Sequence, residues 1–134
     1  MIEYLDTPIL VFACANNTEL GEKSRRLIAT TPNLVSTPHA LAECFNALTY
    51  RLGMPPAAAR KLMEKNFAKI RFQNLDSSDY LQAIGEVVDN GQTGDKVYDA
   101  LHLQAAKKSR ANKIHTSNRR DFAPFNPAAE IVKY

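Results

Sequence analysis

Four carboxylates stand beside or inside apolar runs of this chain. Asp6 closes the opening segment Met-Ile-Glu-Tyr-Leu-Asp, and Glu43 lies in Ala-Leu-Ala-Glu-Cys-Phe. Asp99 lies in Val-Tyr-Asp-Ala-Leu-His-Leu, and Asp121 in Thr-Ser-Asn-Arg-Arg-Asp-Phe. Burying a carboxylate is costly unless a partner or a metal ion compensates it. If the fold brings these four together, the natural compensator is a hard divalent cation, Mg²⁺ or Mn²⁺. Such an ion takes carboxylate oxygens, keeps several waters and binds phosphate oxygens. The matching chemistry is phosphodiester hydrolysis, in which the cation makes water a better nucleophile and offsets charge on phosphorus. No cluster of cysteines and histidines competes for a zinc assignment.

The elements that must position these acids alternate short strands with helices, the pattern of an α/β fold with a parallel sheet. Ile2 to Leu5 reads as the first strand. Thr7 then offers an N-cap and Pro8 the first helical position of a helix to about Ala15. The turn Asn16-Asn17-Thr18 precedes a helix from Leu20 to Ala29, and Asn33 to Ser36 reads as a strand. Thr37-Pro38 repeats the cap-then-proline signal for a helix to about Leu52, which Gly53 ends. Pro55-Pro56 opens a helix through Lys69, and Ile70 to Leu75 is a third strand. Asp76 caps a helix to about Val88, Asp95 to Ser109 is the last helix, Lys113 to Thr116 a fourth strand, and Ala129 to Val132 an edge strand.

In open parallel sheets the ligand site lies beyond the carboxyl ends of the strands, where the strand order reverses. Asp6 ends the first strand and Asp121 follows the fourth, so both belong at that edge. On the helix from Thr37, Leu41, Phe45, Leu48 and Leu52 form the apolar stripe, helped by Cys44. Glu43 lies about 200° around from Leu41 at about 100° per residue, on the side of His39 and Asn46. Asp99 stands near the start of its helix, with Asp95 one turn earlier and His102 three residues later on the same face. Histidines so placed are more often packed and hydrogen-bonded than ligands.

Composition sets the outer bounds. The 134 residues are 45% hydrophobic and 23% charged, which fits one globular unit over residues 1–134 and excludes a disordered chain. A net charge of +3 is compatible with a nucleic-acid partner without demanding one. Cys14 and Cys44 sit in apolar helical contexts and read as reduced core residues. No segment approaches the ~18 apolar residues of a membrane helix and no basic-then-apolar leader opens the chain, so no membrane association and a cytoplasmic location are expected.

The stretches Tyr-Leu-Asp6-Thr, Leu-Ala-Glu43-Cys, Tyr-Asp99-Ala-Leu-His-Leu-Gln-Ala-Ala and Thr116-Ser-Asn118-Arg-Arg-Asp121-Phe, in this order and spacing, resemble the PIN-domain family. They look most like the VapC-type ribonuclease toxins of bacterial toxin–antitoxin pairs. The resemblance implies a three-layer α/β/α fold around a central, mainly parallel sheet of four to five strands. It implies an Mg²⁺- or Mn²⁺-dependent endoribonuclease acting on RNA, a homodimer, and a small VapB-like antitoxin that plugs the active site. By the same resemblance Asp6, Glu43, Asp99 and Asp121 are catalytic, metal-binding acids, and Thr7 and Asn118 support them. Asp95 is a further candidate support, and Arg119 and Arg120 are candidate RNA contacts. Where the family commonly has Asn or Ser after Asp-Thr, this chain has Pro8, which supplies neither a polar side chain nor an N–H there.

Two alternatives within the family are a PIN nuclease in RNA processing with no antitoxin, and a PIN-derived binding module that lost activity. A signalling receiver domain shares the size and the parallel plan. It would need a second acid beside Asp6 and a late Lys-Pro, and the chain has neither.

Overall fold

The computed structural model describes residues 1–15 and 17–134. Five strands form one parallel sheet: β1 (Glu3–Leu5), β2 (Leu34–Ser36), β3 (Arg71–Phe72), β4 (Lys113–Thr116) and β5 (Glu130–Lys133), in the order β3-β2-β1-β4-β5. The helices α1 (Thr7–Ala15), α2 (Glu19–Thr30), α3 (Pro38–Asn46) and α4 (Pro56–Asn66) lie between β1 and β3, and α5 (Ser77–Asp89) and α6 (Lys96–Lys108) between β3 and β4.

Side chains of a strand alternate between the two faces of a sheet. In β1 this sends the fully buried Leu5 into a core with Ile9, Leu10, Leu34, Cys44 and Leu48, and the fully buried Tyr4 into a second core with Val35, Ala105, Ile114 and Phe122. The first core is closed by α1 to α4 and the second by α6. α5 is held on α6 through Ala83, Val87, Ala100 and Leu101. That gives three layers, as the resemblance implies. Asp76 and Asp79 form a reciprocal capping box at the start of α5, so that helix begins where its sequence signals it. Among the described residues no helix is long and apolar enough to cross a membrane.

Several elements differ from the sequence reading. The helix expected to run from Thr37 to about Leu52 stays α-helical only to Asn46. It then widens into a π-helical turn, Ala47–Arg51, closed by the Leu52 N–H on the Ala47 carbonyl at 3.1 Å. Burial falls on Ala40, Cys44, Ala47 and Leu48, one face of an ordinary α-helix, while Phe45 and, beyond the turn, Leu52 are exposed. Gly53 then reverses the chain at φ 67°, a conformation L side chains resist.

α4 stops at Asn66 rather than Lys69. The strand expected over Ile70 to Leu75 is two residues long, because only Arg71 and Phe72 pair with β2 at the sheet edge. Thr7 is already helical rather than the N-cap; its N–H is taken by Asp6 Oδ1 at 2.8 Å. α6 starts at Lys96, with Asp95 before it. Of the expected turn Asn16-Asn17-Thr18, Asn16 lies outside the described residues, and Thr18 precedes α2.

Candidate active site

From β1 the chain passes to β2 and β3 on one side of the sheet, and β4 lies on its other side. The order therefore reverses between β1 and β4, and Asp6 and Thr116 sit at the carboxyl ends of those two strands. The Asp6 N–H donates to the His115 carbonyl at 3.0 Å and fixes the acid there. Asp6 is 5% exposed, and its Oδ2 accepts the Thr116 hydroxyl at 2.8 Å.

Glu43 comes from the middle of α3. Its Oε1 accepts the Thr7 hydroxyl at 3.0 Å and faces His102 Nε2 at 3.1 Å and His39 Nε2 at 3.6 Å. His102 is buried and also stands 3.4 Å from Asp6 Oδ1, while its other nitrogen, Nδ1, is 2.6 Å from the Tyr4 hydroxyl. The His39 ring stacks on Tyr98 with centroids 5.3 Å apart. Asp6 and Glu43 are thus one pair, bridged by a histidine.

Asp99 and Asp121 are a second pair, bridged by a lysine. Lys96 Nζ lies 3.4 Å from Asp99 Oδ2 and 3.7 Å from Asp121 Oδ1. The Asn118 amide donates to Asp121 Oδ1 at 3.1 Å. Its own backbone N–H is held by Thr116 Oγ1, which ties the loop after β4 to the acid at the end of β1.

The electrostatics follow from this placement. Burial pushes the Asp99 carboxyl up to about 6, helped by the neighbouring Asp121 charge and opposed by Lys96. Burial acts the same way on Glu43, but the hydrogen bond and charge of His102, with His39 and Thr7, more than offset it and hold that carboxyl below its ordinary value. Burial favours the neutral form of His102, yet Asp6 and Glu43 outweigh it and raise the imidazole.

The four acids line one cleft of about 720 Å³ together with Thr7, Pro8, Tyr98, His102, Ser117 and Arg51. The wall toward α1 and the π turn is apolar, built from Val11, Phe12, Ala47 and Leu52. Asn118 stands behind Asp121. Arg119 and Arg120 are exposed on the short 3-10 turn that carries it. Asp95 is exposed, makes no capping bond, and is not among the residues that line the cleft. Pro8 leaves the start of α1 intact and faces the cleft with an apolar ring.

Among the described residues no three His, Cys, Asp or Glu side chains form a ready-made metal cage. The donor set nevertheless suits Mg²⁺ or Mn²⁺. These ions bind through one or two carboxylates plus waters and substrate phosphate rather than through an all-protein cage.

Thr7 and Asn118, expected as supports, do hydrogen-bond Glu43 and Asp121, whereas Lys96, Thr116, Tyr4 and Arg51 were not anticipated. Lys96 is three residues from Asp99 and shares its helix face, which was a usable signal. Thr116 ends a strand at the expected edge. The roles of Tyr4 and Arg51 carry no local signal, because they depend on elements far apart in the chain.

A parallel sheet of this order, with acids at the reversal point and helical layers on both sides, is a three-layer α/β/α fold. The chain belongs to the PIN-domain family, which matches it over residues 4–125. The same fold is found in VapC20 of Mycobacterium tuberculosis, described as a sarcin-ricin loop cleaving toxin. That likeness has a TM-score of 0.74 and 18% identity over 90% of this chain and 93% of that one. It is found also in VapBC2 of Rickettsia felis, solved bound to a promoter DNA fragment (TM-score 0.73, 18% identity, 100% and 99% covered). PAE2754 of Pyrobaculum aerophilum is a third example (TM-score 0.66, 23% identity, 98% and 91% covered). No curated protein sequence matches the chain.

Proposed function

We propose that this chain is an Mg²⁺- or Mn²⁺-dependent endoribonuclease, the toxin of a cytoplasmic toxin–antitoxin pair. The observation that carries the reading is the meeting of Asp6, Glu43, Asp99 and Asp121 in one cleft at the reversal point of the sheet. Family membership and the fold shared with a sarcin-ricin loop cleaving toxin and with VapBC2 support it.

Asp6, Glu43, Asp99 and Asp121 would hold the cation, which when bound supplies an activated water and charge stabilisation at phosphorus. Thr7 and Thr116 keep Glu43 and Asp6 in place through their hydroxyls, and Asn118 does so for Asp121. Arg119 and Arg120 beside Asp121, and Arg51 on the cleft wall, would meet an RNA backbone that must approach a cluster of acids. The same acids would take an Arg or Lys from a VapB-like antitoxin in place of the cation. The acting form is a homodimer.

Expression of the parent chain and of Asp99→Asn side by side tests the reading. The parent should arrest growth and cleave RNA, and the variant should do neither. Equal arrest and equal cleavage would refute it.

A further inference from the structure

The histidine at the centre of the cleft has a part that the acid chemistry alone does not assign. We propose that His102 is a positioning residue: its Nε2–H, together with the Thr7 hydroxyl, occupies Glu43 Oε1, so that Glu43 Oε2 is the oxygen left to face a cation. This rests on the metal-dependent reading above and deepens it.

Burial restricts what the two rings can do. His102 is 3% exposed and Tyr4 is fully buried, so neither ring can find water to satisfy its polar atoms. Nε2 faces two carboxylate oxygens, at 3.1 Å and 3.4 Å, and a bare lone pair there would be repelled by both; the Thr7 hydroxyl, 3.3 Å away, gives its own proton to Glu43 Oε1. The proton must therefore sit on Nε2. Nδ1 faces the Tyr4 hydroxyl at 2.6 Å, and a hydroxyl serves either state of the ring. It donates to a bare Nδ1 and accepts from a protonated one. The Nε2–H donor is present in both cases, so the tie does not depend on the charge of the imidazole.

The consequence lies in the remaining lone pairs. A carboxylate oxygen accepts about two hydrogen bonds. Glu43 Oε1 takes the Thr7 hydroxyl as well as His102 and is filled, and among the described residues Glu43 Oε2 takes nothing. Asp6 is held differently, with one bond to each oxygen: the Thr7 N–H to Oδ1 and the Thr116 hydroxyl to Oδ2. Thr7 and His102 together thus turn Glu43 so that one of its oxygens is spent on the protein and the other is presented. Groups that orient metal ligands from behind are worth roughly 10- to 100-fold in metal affinity.

Calorimetric Mn²⁺ titration of the parent, His102→Leu and His102→Gln tests this, with circular dichroism to confirm folding. Leucine removes the donor, and Mn²⁺ binding should weaken by roughly 10-fold or more. Glutamine places an amide N–H where Nε2–H was and should stay within a few-fold of the parent. Binding by His102→Leu that equals or exceeds the parent's, or equal weakening in both variants, would overturn the proposal. A metal-free readout separates it from the nuclease reading and covers a leucine variant that fails to fold. Nitrogen-15 NMR of the parent in chelator should show the His102 proton on Nε2, and a bare Nε2 with protonated Nδ1 would overturn the tie. A parent that gives no Mn²⁺ heat but shows the Nε2 proton would sink the metal-dependent reading while leaving the tie between His102 and Glu43 standing.

Discussion

Replacing Asp99 by asparagine should make the metal-free chain more stable near neutral pH. The Asp99 carboxyl is pushed up to about 6 from an ordinary value of 3.8, first by burial and then by Asp121. Because the folded value lies above the unfolded one, the ionised form costs stability. Below about pH 4 the group is protonated in both states and costs nothing. Between about 4 and 6 the unfolded chain ionises while the folded chain resists, so stability falls with rising pH, and above about 6 to 7 the full cost is present. A shift of about two units corresponds to at most ~3 kcal/mol. The side chain faces an open cleft, so screening by water reduces this to roughly 1–2 kcal/mol. Asparagine keeps the shape of the protonated acid and carries none of this cost. Urea unfolding in chelator, run on parent and Asp99→Asn across this pH range, should show little difference near pH 4. A gain of roughly 1–2 kcal/mol for the variant should appear by neutral pH. A difference that does not change with pH, or a variant less stable than the parent at neutral pH, would refute the view that Asp99 is held against its own ionisation.

The same site yields two further expected outcomes. Lys96 lowers the Asp99 carboxyl from 3.4 Å away, so Lys96→Ala should raise that carboxyl further and move the acid limb of the cleavage pH profile upward; an unmoved or lowered midpoint would contradict the pairing. Thr116→Val keeps the shape of a fully buried side chain but removes the hydroxyl that donates to Asp6 Oδ2 and accepts from the Asn118 N–H. It should therefore destabilise the fold by about 1–3 kcal/mol in urea unfolding at neutral pH, and a change well below that would mean the bond is not made.

The parts of this fold that were legible in the sequence are those with local causes. Capping residues and prolines marked helix starts at Pro38, Pro56 and Ser77, and short apolar runs marked β1, β2 and β4. That the four acids would share one cleft was legible because Asp6 and Asp121 follow strands at the carboxyl edge of the sheet, and Glu43 and Asp99 interrupt apolar helical runs. The illegible parts depend on contacts between distant segments. His102 looked like a packed helix histidine, and its place is set by Tyr4 and Asp6 at β1 and Glu43 on α3, 98, 96 and 59 residues away in sequence. The π turn after Asn46 has no residue signature; Ala-Leu-Thr-Tyr-Arg reads as ordinary helix, and the bond from the Leu52 N–H to the Ala47 carbonyl is what sets it apart. Phe72 and Leu75 suggested a longer strand than β3, but pairing with β2 ends at Phe72.

The central claim is that the acids of one cleft, loaded with a divalent cation, cut RNA. The direct measurement is cleavage of a structured RNA by the purified chain with Mn²⁺, with chelator, and with Asp6→Asn in Mn²⁺. Internal cuts with Mn²⁺ alone, ending in 5′-phosphate and 3′-hydroxyl groups, are the expected result. Cutting that persists in chelator, or that Asp6→Asn performs as well as the parent, would contradict it.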